Sequence, residues 1–210
     1  MPRSAHLRLT PTTPPIAVNR KVTPKRHANA FYRTREHLTP DEVEACIRAA
    51  GQAGRYGHRD AAMLTVAFRH GLRVAELCGL RWDQADFTLG LLHIIRRKGG
   101  RPGTHTLYGP EIRALRRLKR EQQPASSYIF TSERHGPVTP DGVRKIVARA
   151  GALAGLPFTI HPHMLRHACG YKLAADHTPT REIQQHLGHQ NIGHTVRYTT
   201  LTPGGRYWKD

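Results

Sequence analysis

Three Thr-Pro pairs, Thr39-Pro40, Thr139-Pro140 and Thr178-Pro179, constrain this chain more than any other feature. A threonine hydroxyl can accept from an amide of a helix's first turn. Proline at the first helical position gives up only an N–H that has no partner in the helix. At the first pair Glu42 follows Thr39 by three residues, which completes a capping box. Val43, Cys46, Ile47 and Ala50 then recur at helical spacing. The same reading gives a helix over 59–70, with Ala62, Met63, Val66 and Ala67 inward and a stop at Gly71. A short helix follows within 72–82, with Arg73 near its start, and further helices span 111–122, 140–154, 162–175, 179–187 and 191–200. Residues 84–108 differ in character. There FTLGLLHIIRRKGGRPGTHTLY sets apolar and β-branched runs between Gly90, Gly99, Gly100 and Gly103, which predicts a small antiparallel meander. The expected fold class is mainly α with a small antiparallel β-meander (α+β).

A length of 210 residues suits one domain with a core of its own. Residues 1–36 hold Pro2, Pro11, Pro14, Pro15 and Pro24 among Lys, Arg and Thr, with little apolar periodicity. They read as a basic, disordered or loosely docked arm. Residues 37–202 form the ordered domain, and 203–210 a short C-terminal tail.

The net charge is +18, from 33 Lys+Arg against 15 Asp+Glu. Such an excess attracts polyanions, and neutralising phosphates releases counterions, so nucleic acid is the expected partner class. A merely soluble basic protein is the alternative. No apolar run approaches the ~20 residues that span a bilayer, and the N-terminus lacks a signal-peptide core. A cytoplasmic protein without a membrane segment is expected. Cys46, Cys78 and Cys169 are odd in number and far apart, and read as reduced core residues.

Five stretches carry candidate chemistry. In HGLRVAEL, Arg73 and Glu76 share a helix face; the pair is either a surface ion pair or a carboxylate-braced phosphate clamp. In IIRRKGGRPGTH, Arg96, Arg97 and Arg101 suit a hairpin gripping a DNA backbone, and Lys98 could act as a general acid if the turn swings it into a groove. In HPHMLRHACG, His163, Arg166 and His167 lie at i, i+3, i+4 on one helix side, with Leu165 and Cys169 toward the core. His163 and His167 have HxxxH spacing, but no glutamate follows the first histidine, and Arg166 would repel a cation between them. No metal is expected. In HLGHQN, His189 follows Gly188 at a helix end. In GHQNIGHTVRYTT, Tyr198 stands one turn beyond His194 and Thr195, as a core residue, a stacking surface or a nucleophile.

In order, Arg73, Lys98, His163, Arg166, His189 and Tyr198 resemble the tyrosine recombinase (phage integrase) family. The resemblance rests on Gly71-Leu72-Arg73-Val74-Ala75-Glu76-Leu77, on His163-Met-Leu-Arg166, on Leu187-Gly188-His189 and on the tyrosine nine residues after that histidine. It covers roughly residues 37–200. HPHMLRHACGYKLA and NIGHTVRYT are most similar to the short recombinases that invert fimbrial promoter DNA.

The resemblance implies the tyrosine recombinase catalytic-domain fold over 37–202 and site-specific DNA breaking and rejoining. Tyr198 would attack the scissile phosphate and leave a 3′-phosphotyrosine and a free 5′ hydroxyl. A partner strand's 5′ hydroxyl would reverse the step, and two such exchanges pass through a four-way junction. His163 would take the phenol proton. Arg73 and Arg166 would hold the nonbridging oxygens, Lys98 would protonate the leaving oxygen, and His189 would position the phosphate. Glu76 and His167 would support the site, and Arg96, Arg97, Arg101 and Arg197 would touch DNA. The implied partners are double-stranded DNA, a homo-oligomer (a tetramer on DNA) and an accessory DNA-bending protein, with no cofactor. Family members commonly carry a separate core-binding domain before the catalytic one. Here that grip is expected from the arm, a partner or further protomers, with Tyr207 and Trp208 as docking anchors of the tail. Rival readings are a type IB topoisomerase, with the same strand-cleaving chemistry, and a DNA-binding regulator or mobile-element remnant without catalysis.

Overall fold

A computed structural model of the chain describes residues 35–96, 101–122 and 125–200. Residues 1–34 of the expected arm (1–36), the whole expected tail (203–210), and Arg97 and Lys98 lie outside the described residues.

Helix α1, Pro40–Gln52, begins as its sequence dictates. Thr39 Oγ1 accepts from the Glu42 amide at 3.3 Å, and the Glu42 carboxylate accepts from the Thr39 amide at 2.8 Å. Glu42 is also held by both terminal nitrogens of Arg35, each at 2.7 Å. Val43, Cys46 and Ala50 are buried against α2, Gly57–Arg69. The two helices approach closely where α2 begins, since a Cβ on Gly57 would lie 2.5 Å from the Gly51 carbonyl oxygen. The chain stops α2 at Gly71, with φ of +55°, which a side chain would make strained. Then follow α3, Val74–Cys78, a 3-10 turn, Trp82–Gln84, and three strands: β1, Ala85–Asp86, β2, Leu91–Ile94, and β3, Gly103–Thr106. These form one antiparallel sheet in the order β1-β2-β3, with Ala85 opposite Leu92 and Leu92 opposite His105. The expected meander is thus present.

The remainder is helical: α4, Gly109–Glu121; α5, Pro140–Leu153; α6, Pro162–Ala175; α7, Thr180–Leu187; and α8, Gly193–Thr200. Thr139 caps α5 by accepting from the Gly142 amide at 3.1 Å. Thr178 does not cap α7. Its amide bonds the Leu173 carbonyl at 3.0 Å in the turn that closes α6, so Pro179 takes the cap position without a side-chain bond. Helix α8 starts two residues later than its pattern predicts, because Asn191 Oδ1 accepts from the Gly193 amide at 2.8 Å and spends 191–192 in a turn.

Buried side chains fall into two apolar clusters. The larger joins α1–α6 and the sheet, around Met63, Leu64, Leu92, Leu115, Ile129 and Leu165. The smaller holds Cys169, Ala174, Ile183, Leu187 and Tyr198, from α6, α7 and α8. The polar motif residues gather along the seam between them. Among the described residues no helix is long and apolar enough to cross a membrane, and Cys46 and Cys169 are buried.

Candidate active site

The site is built on two helix ends and one buried carboxylate. Arg73 caps α3, and its amide and its guanidinium each reach the Glu76 carboxylate at 2.9 Å. Glu76 is buried, and its second cation is Arg96, at 2.7 Å. Burial raises the Glu76 pKa. The Arg73 amide bond, the Arg96 charge and the two guanidinium bonds outweigh it and hold the carboxyl below its ordinary range. Glu76 therefore stays ionised and braces two arginines.

Arg96 corrects an expectation. It is not a DNA-facing residue of the hairpin: its side chain is fully buried, on Glu76 and on the His186 carbonyl at the end of α7. The physical reason is strand parity. Leu92, Ile94 and Arg96 alternate inward while His93 and Ile95 point out, so the run of period two carries the arginine into the core. Read in that register, LLHIIR places Arg96 inside. Arg101 is exposed, as a DNA contact requires.

Arg166 is 2 % exposed. Helix α6 is buried nearly all round from Pro162 to Gly170, so the side that carries Arg166 and His167 is covered as well. Arg166 donates to the Gly71 carbonyl and, at 2.8 Å, to the Leu187 carbonyl. Arg96 and Arg166 thus cap the carbonyl end of α7, where the helix dipole is negative. Burial, then Arg73 and Arg96, lower the Arg166 pKa to about 10, so it remains charged at neutral pH. Arg73 and Arg96 share one carboxylate, Glu76, and Arg166 adds a third guanidinium whose charge is felt with theirs. The seam keeps a positive excess in a partly dry setting, and an anion would relieve it.

His189 enters beside them. Gly188 adopts φ of +64° to end α7, and a Cβ there would lie 2.7 Å from Arg96 Nε. The turn leaves His189 Nδ1 2.9 Å from Thr195 Oγ1 and its ring stacked on Tyr198, centroids 6.3 Å apart. Burial, then Arg166 and Arg73, push its pKa down to about 3, so it is neutral and can donate to an anion.

Tyr198 lies at the core of the smaller cluster, 1 % exposed. Its ring rests on Gly170, where an added Cβ would come within 2.6 Å of Cζ, and edge-on to Tyr171 at 5.0 Å. Burial pushes the phenol up to about 12, against the pull of Arg166 and Arg197. Its hydroxyl meets His167 Nδ1 at 2.9 Å. Burial, then His163, lower the His167 pKa to about 3. A neutral ring and a protonated phenol leave a hydrogen bond between neutral groups, in which the tautomer of His167 decides which of the two donates. His163 is exposed on the first turn of α6, with its ring edge-on to His167 at 4.5 Å.

The structure therefore brings together Arg73, Glu76, Arg166, His167, His189 and Tyr198. His163 stands one ring away from the phenol, behind His167. Arg197, the expected DNA contact beside Tyr198, is exposed and ion-paired with Glu36. Sequence reasoning missed Glu36, Gly170 and Tyr171 as neighbours of the tyrosine helix, and His37, which stacks on Tyr171 at 3.9 Å. Of these only Gly170, a glycine inside a helical pattern, carried a readable signal of close approach.

Residues 36–204 match the phage integrase family. The type 1 fimbriae regulatory protein FimB of Escherichia coli K12 is 37 % identical over 179 residues, which cover 83 % of this chain and 89 % of that protein. FimE of the same strain is 40 % identical over 170 residues, 79 % of this chain and 85 % of that one. The crystal structure of XerA recombinase superposes with a TM-score of 0.71 at 26 % identity, covering 81 % of this chain and 62 % of that one.

Proposed function

Because the chain belongs to the phage integrase family, whose tyrosine recombinases break and rejoin DNA, we propose that residues 37–202 form a catalytic domain that cuts duplex DNA through Tyr198. The observation that carries this reading is the positive seam beside the phenol: Arg73 and Arg96 share one ionised Glu76, and Arg166 is held on backbone carbonyls next to a buried tyrosine. A scissile phosphate supplies the missing anion. Arg73 and Arg166 contact its nonbridging oxygens, and His189 donates a third hydrogen bond. Negative charge that develops in the five-coordinate transition state meets fixed donors that need no reorganisation.

The phenol must lose its proton to attack. Oη is buried and hydrogen-bonded to His167, so the tyrosine leaves that partner on its way to phosphorus. His163, at the open edge of the site, takes the proton. Lys98 protonates the departing 5′ oxygen. The product is a 3′-phosphotyrosyl DNA, which conserves the phosphoester bond and lets a second 5′ hydroxyl reverse the step without ATP. Arg101 and Arg197 hold flanking phosphates, Arg197 by exchanging Glu36 for one. Strand exchange between two sites engages a homo-oligomer on DNA, a tetramer, in the cytoplasm and on the chromosome or an integrated element. An accessory DNA-bending protein assists, and inversion is the outcome nearest to FimB and FimE.

Covalent trapping tests the reading. The protein is incubated in EDTA without ATP with DNA flanking its own gene, denatured, and examined for a protein–DNA adduct. An adduct that maps to Tyr198 and vanishes in Tyr198→Phe is the expected result. An adduct of equal yield from Tyr198→Phe would remove the tyrosine from the chemistry.

A further inference from the structure

Helix α4 buries Leu115 and Leu118 against the core, with Ile112 half-buried beside them. Its outer face is different in kind. Arg113, Arg116, Arg117 and Arg120 are all exposed and fall at i, i+3, i+4 and i+7, which makes a single stripe. Like charges at these spacings repel, so each neighbouring pair works against the helix that displays it. Local chemistry compensates little. Among the described residues one carboxylate, Glu121, pairs with the stripe, through Arg117, and both groups are exposed. Arg116 donates to the Phe87 carbonyl at 3.2 Å. The helix dipole favours Lys119 and Arg120 in the last turn but not Arg113.

We propose that this stripe is a second contact surface for duplex DNA, outside the tyrosine site. It rests on the reading that the protein's substrate is duplex DNA. Four guanidiniums spread over eight residues, seven steps of 1.5 Å, span about 10 Å. At 3.4 Å per phosphate along one strand, that matches about three phosphates. The placement suits DNA that continues beyond the cleavage point. Glu111, in the first turn of α4, accepts from His70 at 3.0 Å and from Arg69 at 3.4 Å. Both lie just before Gly71, whose carbonyl holds Arg166. The helix therefore starts beside the seam and carries the stripe away from it. Phosphates along such a path would relieve the repulsion that the stripe creates.

The test is the salt dependence of binding to a long duplex of arbitrary sequence. The variant combines Arg113→Gln, Arg117→Gln and Arg120→Gln and leaves Arg116 on its carbonyl. Its plot of log affinity against log salt should be shallower by about 0.9 for each lost phosphate contact, roughly two to three in all. Its thermal midpoint at low salt should equal or exceed wild type, since repulsion is relieved. A companion variant with lysine at the same three positions should keep the wild-type slope. An unchanged slope in the glutamine variant, or a loss seen on single-stranded RNA or an acidic polypeptide but not on duplex DNA, would overturn the proposal. The two readings fail separately. Tyr198 adduct formation at saturating DNA should not change in this variant, so an absent wild-type adduct counts against the recombinase reading. The slope still decides the stripe.

Discussion

At the scale of single residues, the tyrosine is stored rather than presented. It is 1 % exposed, its phenol is pushed up to about 12, and its hydroxyl is hydrogen-bonded to a neutral histidine. Gly170 makes that storage possible. A Cβ at this position would come within 2.6 to 2.8 Å of Cζ and both Cε atoms of the ring, so Gly170→Ala cannot be absorbed by rotation of a flexible tip. Overpacking of this kind costs about 1–3 kcal/mol. Gly170→Ala should lower the urea midpoint and slow adduct formation together; an unchanged midpoint would mean that the ring does not rest there. His167→Ala probes the other contact. It removes one buried hydrogen bond, a loss of about 1 kcal/mol. Nitration with tetranitromethane, mapped by peptide mass, should reach Tyr198 faster in this variant than in wild type. Equal protection would show that the seat alone, without His167, shields the phenol. The motif positions were singled out by the family resemblance, but the storage was not legible, because it depends on which ring of α6 meets the hydroxyl. His163 and His167 are both candidates at the sequence level, and only their turn-by-turn burial separates them.

At the scale of elements, starts and stops were legible where the signal is local. Thr39 and Thr139 cap their helices, and Gly71 and Gly188 end theirs at positive φ. What links the sheet to the helices was not legible, because its partners are far apart in sequence. His105 of β3 meets His70 at 3.2 Å between Nδ1 atoms and stacks on His186 of α7 at 4.1 Å, while His70 Nε2 reaches Glu111 of α4 at 3.0 Å. This junction seats the hairpin that brackets Lys98. It also has a pH signature. Burial, with neighbouring cationic groups, lowers His105 to about 2 and His186 to about 4, against about 6.5 in an unfolded chain. Below about 6.5 the unfolded chain binds protons that these folded rings refuse, so stability falls as pH drops. His167 and His189, each at about 3, add in the same direction. The carboxylates held low, Glu42, Glu76 and Glu111, act the same way only below about 4.5. The urea midpoint should therefore be flat from pH 8 to 7 and decline from about 6.5 to 4.5. A flat midpoint through that second window would contradict neutral, buried rings at the junction.

At the scale of the whole molecule, the excess of 33 basic over 15 acidic residues understates how basic the exterior is. Among the described residues three of the acids are buried, and each serves two basic side chains. Asp60 takes Arg59 and Arg149, Glu76 takes Arg73 and Arg96, and Glu111 takes His70 and Arg69. These acids join distant elements and leave less negative charge at the surface to balance the arginines. The net charge was legible at once and pointed to a polyanion; the inward placement of these carboxylates was not, since a lone Asp or Glu in a helical pattern reads as solvated. Two opposite salt effects follow. Screening weakens the repulsion among exposed cations, with a Debye length near 10 Å at 0.1 M, while the buried pairs are screened much less. Added sodium chloride should therefore raise the thermal midpoint of the DNA-free protein between about 0.01 and 0.2 M, where the Debye length shortens from about 30 Å. Duplex DNA at low salt should raise it further, because phosphates neutralise the same surface and bind only the folded state. The DNA increment should then shrink as salt rises, since counterion release weakens with salt. A midpoint that falls steadily with salt in the absence of DNA would place the net electrostatic balance in the internal pairs instead, and would mean that the outer arginines repel one another too little to matter.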